Sequence, residues 1–308
     1  RSLRQVSLIR RSIAHISTWL LAAFFAWTTV VLAAGPLRAL RLASPFWVYW
    51  PMTMLMTSGL WLVGLPAASL VFVCVAIVVG LFTEIEGWGG SRGIAGLGSI
   101  VALVAVVGLG FGSWCRDQKV SPVATLQKWI EPGIQKLREL NPTLEASMDI
   151  RTEAIVANVP SAIIIVGLFS IALALLSERN WLRMISPESL GKLVGRARWI
   201  EFRVWDELIF VLMAALLATF TNHGMKTVSV VGTNVLNVLV VLYFFQGMAV
   251  VYKALGFFRV GAVWKLVIGF LLTFQLALIV ACVGVADYWL EFRTRLNRRP
   301  MQPSAESK

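Results

Sequence analysis

The sequence predicts an all-α fold, a polytopic bundle of transmembrane helices, and three observations carry that expectation. Apolar residues make up 58% of the 308 and charged residues only 14%, against roughly 45–50% and 25% in a soluble domain. Apolar runs long enough to cross the bilayer recur along the whole chain. Tryptophans and basic residues gather at the ends of those runs. The net charge of +12 does not point to nucleic acid, because Lys and Arg lie between apolar runs and at both ends without an aromatic-interleaved basic stripe. They read as topology signals and headgroup contacts, so membrane lipids are expected partners.

Crossing about 30 Å of hydrocarbon takes about 20 helical residues. Eight runs qualify, near 17–34, 46–63, 66–83, 93–114, 154–176, 205–221, 228–252 and 264–286. Basic residues precede the first, but no small-residue cleavage pattern leading into a polar domain follows it, so it reads as a span. The second, third and fifth runs carry Pro51, Pro66 and Pro160, which predict kinks or broken helices. The fourth is glycine-rich, and Gly108 with Gly112 makes a GxxxG step that predicts close contact with another helix. Trp19, Trp47, Trp50, Trp114, Trp264 and Trp289 stand near run ends, where the ring suits the headgroup level. Lys and Arg counts favour an inside N-terminus and eight crossings only weakly, because the basic stretch 178–203 then falls outside.

The whole chain, 1–308, reads as one integral membrane domain with two longer connections. Residues 116–153 hold an amphipathic helix in which Leu126, Ile130, Ile134, Leu137 and Leu140 recur at helical spacing, interrupted at Pro132-Gly133. It suits the membrane interface. Residues 178–203 form the basic connection, where Arg196, Arg198 and Arg203 suit lipid phosphate.

Polar groups inside the spans are the candidate site, since they are costly there. Asn234, Asn237, Tyr243 and Gln246 recur along the seventh run and Gln275 stands in the eighth. Two readings stay open. A small-molecule pocket predicts that they converge on a cavity, whereas a scaffold predicts that each is satisfied by a neighbouring helix. Asp206 and Glu207 stand where carboxylates suit the start of a helix. At the far end Asp287, Glu291 and Arg295 follow at i+4 steps, which puts them on one face of a helix continuing past the membrane as interfacial ion pairs.

Enzyme motifs are sparse. No HExxH or GxxxxGK[ST] occurs, and the histidines are His15 and His223. Glu84 with Glu86, or Asp206 with Glu207, are the carboxylate pairs an enzyme would have to use. Cys74, Cys115 and Cys282 have no metal or disulfide spacing and read as small buried hydrophobes. No catalytic residue, metal or cofactor is expected.

The stretch "NVLNVLVVLYFFQGMAVVYKAL" from Asn234, followed by an apolar span and "GVADYWLEFR" from Gly284, resembles the C-terminal signature of the YybS-like bacterial membrane proteins, a family of unknown function. That family is distantly similar to the substrate-binding S components of energy-coupling factor transporters. The resemblance implies a multi-pass protein of the bacterial inner membrane with about six core helices. It also implies an outward ligand site for an unidentified small molecule and docking to a transmembrane coupling subunit through small-residue surfaces. Ala22 and Ala26 form an AxxxA step like that docking motif. The expected function is a substrate-binding or accessory subunit of a small-molecule transport system, with a structural or assembly subunit as the alternative.

Overall fold

The computed structural model describes residues 2–140, 152–193, 201–220 and 226–297. All regular structure among them is helical. The chain divides into two compact units, Arg1–Arg196 and Ala197–Lys308.

In the first unit the helices are α1 (Ser2–Thr29), α2 (Ala34–Ala43), α3 (Phe46–Leu62), α4 (Pro66–Gly87), α5 (Arg92–Asp117), α6 (Pro122–Leu140) and α7 (Thr152–Ile185). Three of them, α4, α5 and α7, are long and apolar enough to cross a membrane. At 22 residues, α4 reaches about 33 Å, one hydrocarbon thickness. Pro66 opens α4, where a missing N–H costs nothing. Pro51 and Pro160 lie inside continuous helices. The amphipathic α6 likewise runs unbroken through Pro132, contrary to the expected interruption. The carbonyl freed by Pro132 belongs to Lys128, an exposed residue.

The second unit holds α8 (Leu208–Phe220), α9 (Lys226–Phe257), α10 (Ala262–Phe274), α11 (Ala277–Leu290) and α12 (Phe292–Asn297). Only α9 is a full-length span among its described helices, while α10 and α11 form one apolar stretch bent by 98°. Gln275 and Leu276 carry the bend, Leu276 with φ −125° and ψ 23°.

Against the eight expected crossings, the described residues hold four helices long and apolar enough to span, or five if the bent pair is one span. Of the other expected runs, the apolar part of α1 is Ile13–Thr29, followed by a 3-10 turn over Val30–Ala33, α3 has 17 residues, and α8 has 13. The short α2, which the sequence places in an external connection, is instead buried on nearly every side. It lies so close to α7 that a Cβ on Gly35 would stand 2.8 Å from the Trp181 indole nitrogen.

Four helix ends share one turn. Leu65, Gly90, Val120 and Val260 donate backbone N–H bonds to Leu60, Ile85, Cys115 and Leu255 at 2.9–3.0 Å, the bond that closes a Schellman cap. The left-handed position is glycine twice, Gly64 and Gly89, and basic twice, Lys119 (φ 54°) and Arg259 (φ 52°).

Of the six tryptophans expected at headgroup level, Trp47, Trp114, Trp264 and Trp289 are exposed, whereas Trp19 is buried against Tyr49 and Phe72. Among the cysteines, Cys115 is buried and Cys282 exposed.

Candidate functional site

Part of the second unit's polar set sits around the crossing of α9 and α11. Tyr243 is buried among Val204, Ile209, Leu212 and Leu239. One turn on, the Gln246 amide links three segments. Its Oε1 accepts the Val204 backbone N–H at 2.8 Å, and its Nε2 donates to the Gly284 carbonyl at 3.0 Å and reaches Asp287 Oδ2 at 3.4 Å. Below it, Arg293 Nε lies 3.2 Å from Asp287 Oδ2, and Arg293 Nη2 donates to the Gln246 carbonyl at 3.1 Å. Asp287 is buried, and its Oδ1 accepts no hydrogen bond among the described residues. The opposed charges of Asp287 and Arg293 make the node neutral.

The structure brings Gln246 to this node, with Tyr243 packed one turn away, and leaves the other candidates away from it. Asn234 donates its amide to the Val230 carbonyl of its own helix at 2.9 Å, and Asn237 is half-buried on α9. Gln275 is exposed at the bend after α10, its backbone N–H closing the last turn onto Leu271. A groove of about 400 Å³ does open in this unit, but its walls are Val250, Ala254, Phe257, Val283, Phe292 and their neighbours. None of the five predicted side chains lines it.

The face shared by Asp287, Glu291 and Arg295 does not form, because α11 ends at Leu290 and Glu291 takes left-handed geometry, φ 44° and ψ 47°. That residue turns the chain, so the Asp287 carboxylate meets Arg293 and Arg295 goes to the groove. At the start of α8, Asp206 pairs with Arg203 at 2.8 Å, both exposed. Arg196, Arg198 and His223 lie outside the described residues.

The strongest buried electrostatics are in the first unit, around an arginine the sequence reading counted as a loop charge. Arg38 on α2 has no exposed surface. Its Nε donates to Glu178 on α7 at 2.5 Å, its Nη2 to Glu86 on α4 at 2.6 Å, and its Nη1 to Thr83 at 3.2 Å. The Phe82 ring covers the guanidinium 5.0 Å from its centroid. Glu86 is shared with Arg92 at the start of α5, at 2.9 Å, and Arg41 pairs with Glu84 at 2.6 Å. Three arginines and three glutamates thus tie α2, α4, α5 and α7 together without net charge, the condition under which burial of an arginine is tolerated. Glu84 and Glu86, the carboxylates an enzyme would need, are held by guanidinium groups. One signal was available: on alternating crossings, these residues all fall in connections on the same side.

The two small-residue steps have opposite fates. Ala22 and Ala26 are buried in the core with Trp19, Tyr49 and Phe72, so that AxxxA step packs the unit itself. Gly108 and Gly112 have no atom within 4 Å of an added Cβ, contrary to the expected close helix contact. Among the described residues only 22% of the apolar stretch of α5 is buried, against 56% for α4 and 33% for α7, so α5 is the most open span of the first unit.

No curated protein and no solved structure matches the chain. A family model does match residues 48–288, from α3 to α11, taking in Glu84, Glu86, Glu178, Gln246 and Asp287. Helices long and apolar enough for a bilayer and a match over most of the sequence agree, and the chain belongs to the family described as predicted membrane protein (DUF2232).

Proposed function

We propose that this chain is a non-catalytic accessory subunit of a membrane assembly, which binds another membrane protein against the open face of α5. One contrast carries the reading. The polar side chains best placed for a solute site are engaged with neighbouring segments, as at Gln246 and Arg38, while no other element among the described residues comes within 4 Å of a Cβ added at Gly108 or Gly112. In lipid, helices associate through close packing of small residues, because apolar burial gives no advantage over the acyl chains.

The resemblance to YybS-like proteins and to transporter S components supports the bacterial inner membrane as the location and a small-molecule transport system as the assembly. Fold-level likeness is an associational warrant only. Within that assembly the geometry favours the accessory role over solute capture, since the AxxxA step lies in the protein's own core and the groove is apolar.

The test is native mass spectrometry of the protein extracted gently from its own membranes. A membrane protein retained at a fixed ratio, with no bound solute, is the expected result. A stoichiometric small solute without a protein partner would overturn the reading.

A further inference from the structure

The groove beside the Asp287 node is built by three helices and one backbone break. Val250, Ala254 and Phe257 come from successive turns of α9, Val283 comes from α11, and Phe292 and Arg295 come from α12. Phe292 and Arg295 are three apart and share a helix face. The left-handed turn at Glu291 brings that face to the groove. Its volume, about 400 Å³, is that of a small-molecule site.

We propose that this groove holds an acyl chain of one anionic phospholipid from the surrounding membrane, with the lipid phosphate on Arg295. Charge complementarity selects the occupant. Among the described residues Arg295 is the only charged one lining an otherwise apolar wall, and the nearby Asp287 carboxylate is already matched by Arg293 at 3.2 Å. The cationic Lys253 lies one residue before Ala254 on α9, its ammonium donating to the Arg293 carbonyl at 3.1 Å. An extended peptide would leave its own N–H and C=O groups unpaired against such a wall. A polar solute would find none of the converging donors that fix orientation in a binding pocket. An acyl chain needs neither. The inference goes beyond the accessory role and does not depend on it.

The test uses the full chain in micelles doped equally with phosphatidylglycerol and phosphatidylcholine, with retained lipids counted by native mass spectrometry. The wild type is expected to keep one phosphatidylglycerol in preference to phosphatidylcholine. Arg295→Gln lowers that retention roughly fivefold, as loss of one headgroup cation implies, and lowers phosphatidylcholine less, because its choline ammonium already offsets the phosphate charge. Ala254→Trp fills the groove and lowers both. Arg295 is exposed, so its variant retains the fold, which circular dichroism checks. Equal retention of the two lipids by the wild type would overturn the proposal, as would a phosphatidylglycerol preference that survives Arg295→Gln.

Discussion

The Cβ that Gly284 lacks would stand 2.9 Å from the backbone nitrogen of Gly247, so α9 and α11 cross at backbone contact. A Cβ on Gly247 would in turn run into the Val280 carbonyl, and one on Gly284 into that of Tyr243. Gly247→Ala and Gly284→Ala are therefore each expected to destabilise the second unit by about 1–3 kcal/mol, the usual cost of overpacking. Denaturant unfolding in micelles measures this. Gly108→Ala, with open space around the added methyl, is the control and should not lose stability.

Arg38 predicts a larger loss. Arg38→Met leaves Glu178 and the shared Glu86 beside an apolar side chain, and an uncompensated buried charge costs about 3–5 kcal/mol. Adding Glu178→Gln removes one of those charges, so the double variant should lose less than the sum of the single changes. Simple additivity in a double-mutant cycle would mean that the contact at 2.5 Å carries no coupling.

Gln246→Leu should destabilise by about 1–3 kcal/mol, because the Val204 N–H and the Gly284 carbonyl lose the partner they share. Hydrogen exchange localises the effect: protection of the Val204 amide falls first. Unchanged stability with lost solute binding would instead mark Gln246 as a ligand contact.

Two basic residues stand where glycine is favoured. Left-handed geometry at Lys119 and Arg259 costs about 1–2 kcal/mol for a residue with a Cβ, and glycine returns part of that gain through its freer unfolded chain. Lys119→Gly and Arg259→Gly should each stabilise by roughly 0.5–1 kcal/mol, read as a raised unfolding midpoint.

The long spans were legible because a run of apolar residues needs no periodicity to be recognised. The runs 66–83, 93–114, 154–176 and 228–252 fall within Pro66–Gly87, Arg92–Asp117, Thr152–Ile185 and Lys226–Phe257. The bend at Gln275 was not legible, since Phe274, Gln275 and Leu276 include no proline or glycine to mark it. Burial of Arg38 was hidden for another reason. Its compensating carboxylates lie 48 and 140 residues away in sequence, and counting loop charges treats every arginine as solvated. The polar set was found in part: Gln246 does meet Asp287, and Tyr243 packs one turn away in an apolar cluster, but neither lines a cavity. The αL turn at Glu291 was invisible to an i+4 argument, which presumes the helix it is used to extend.

The accessory role rests on the open face of α5, and one measurement tests it most directly. Gly108→Leu with Gly112→Leu adds bulk where no other element among the described residues lies within 4 Å of the Cβ position, so the fold is left intact. Partner recovery from native membranes is then compared with wild type by native mass spectrometry, with unfolding midpoints measured alongside. The expected result is loss of the protein partner at an unchanged midpoint. Full partner recovery by the variant would contradict the account.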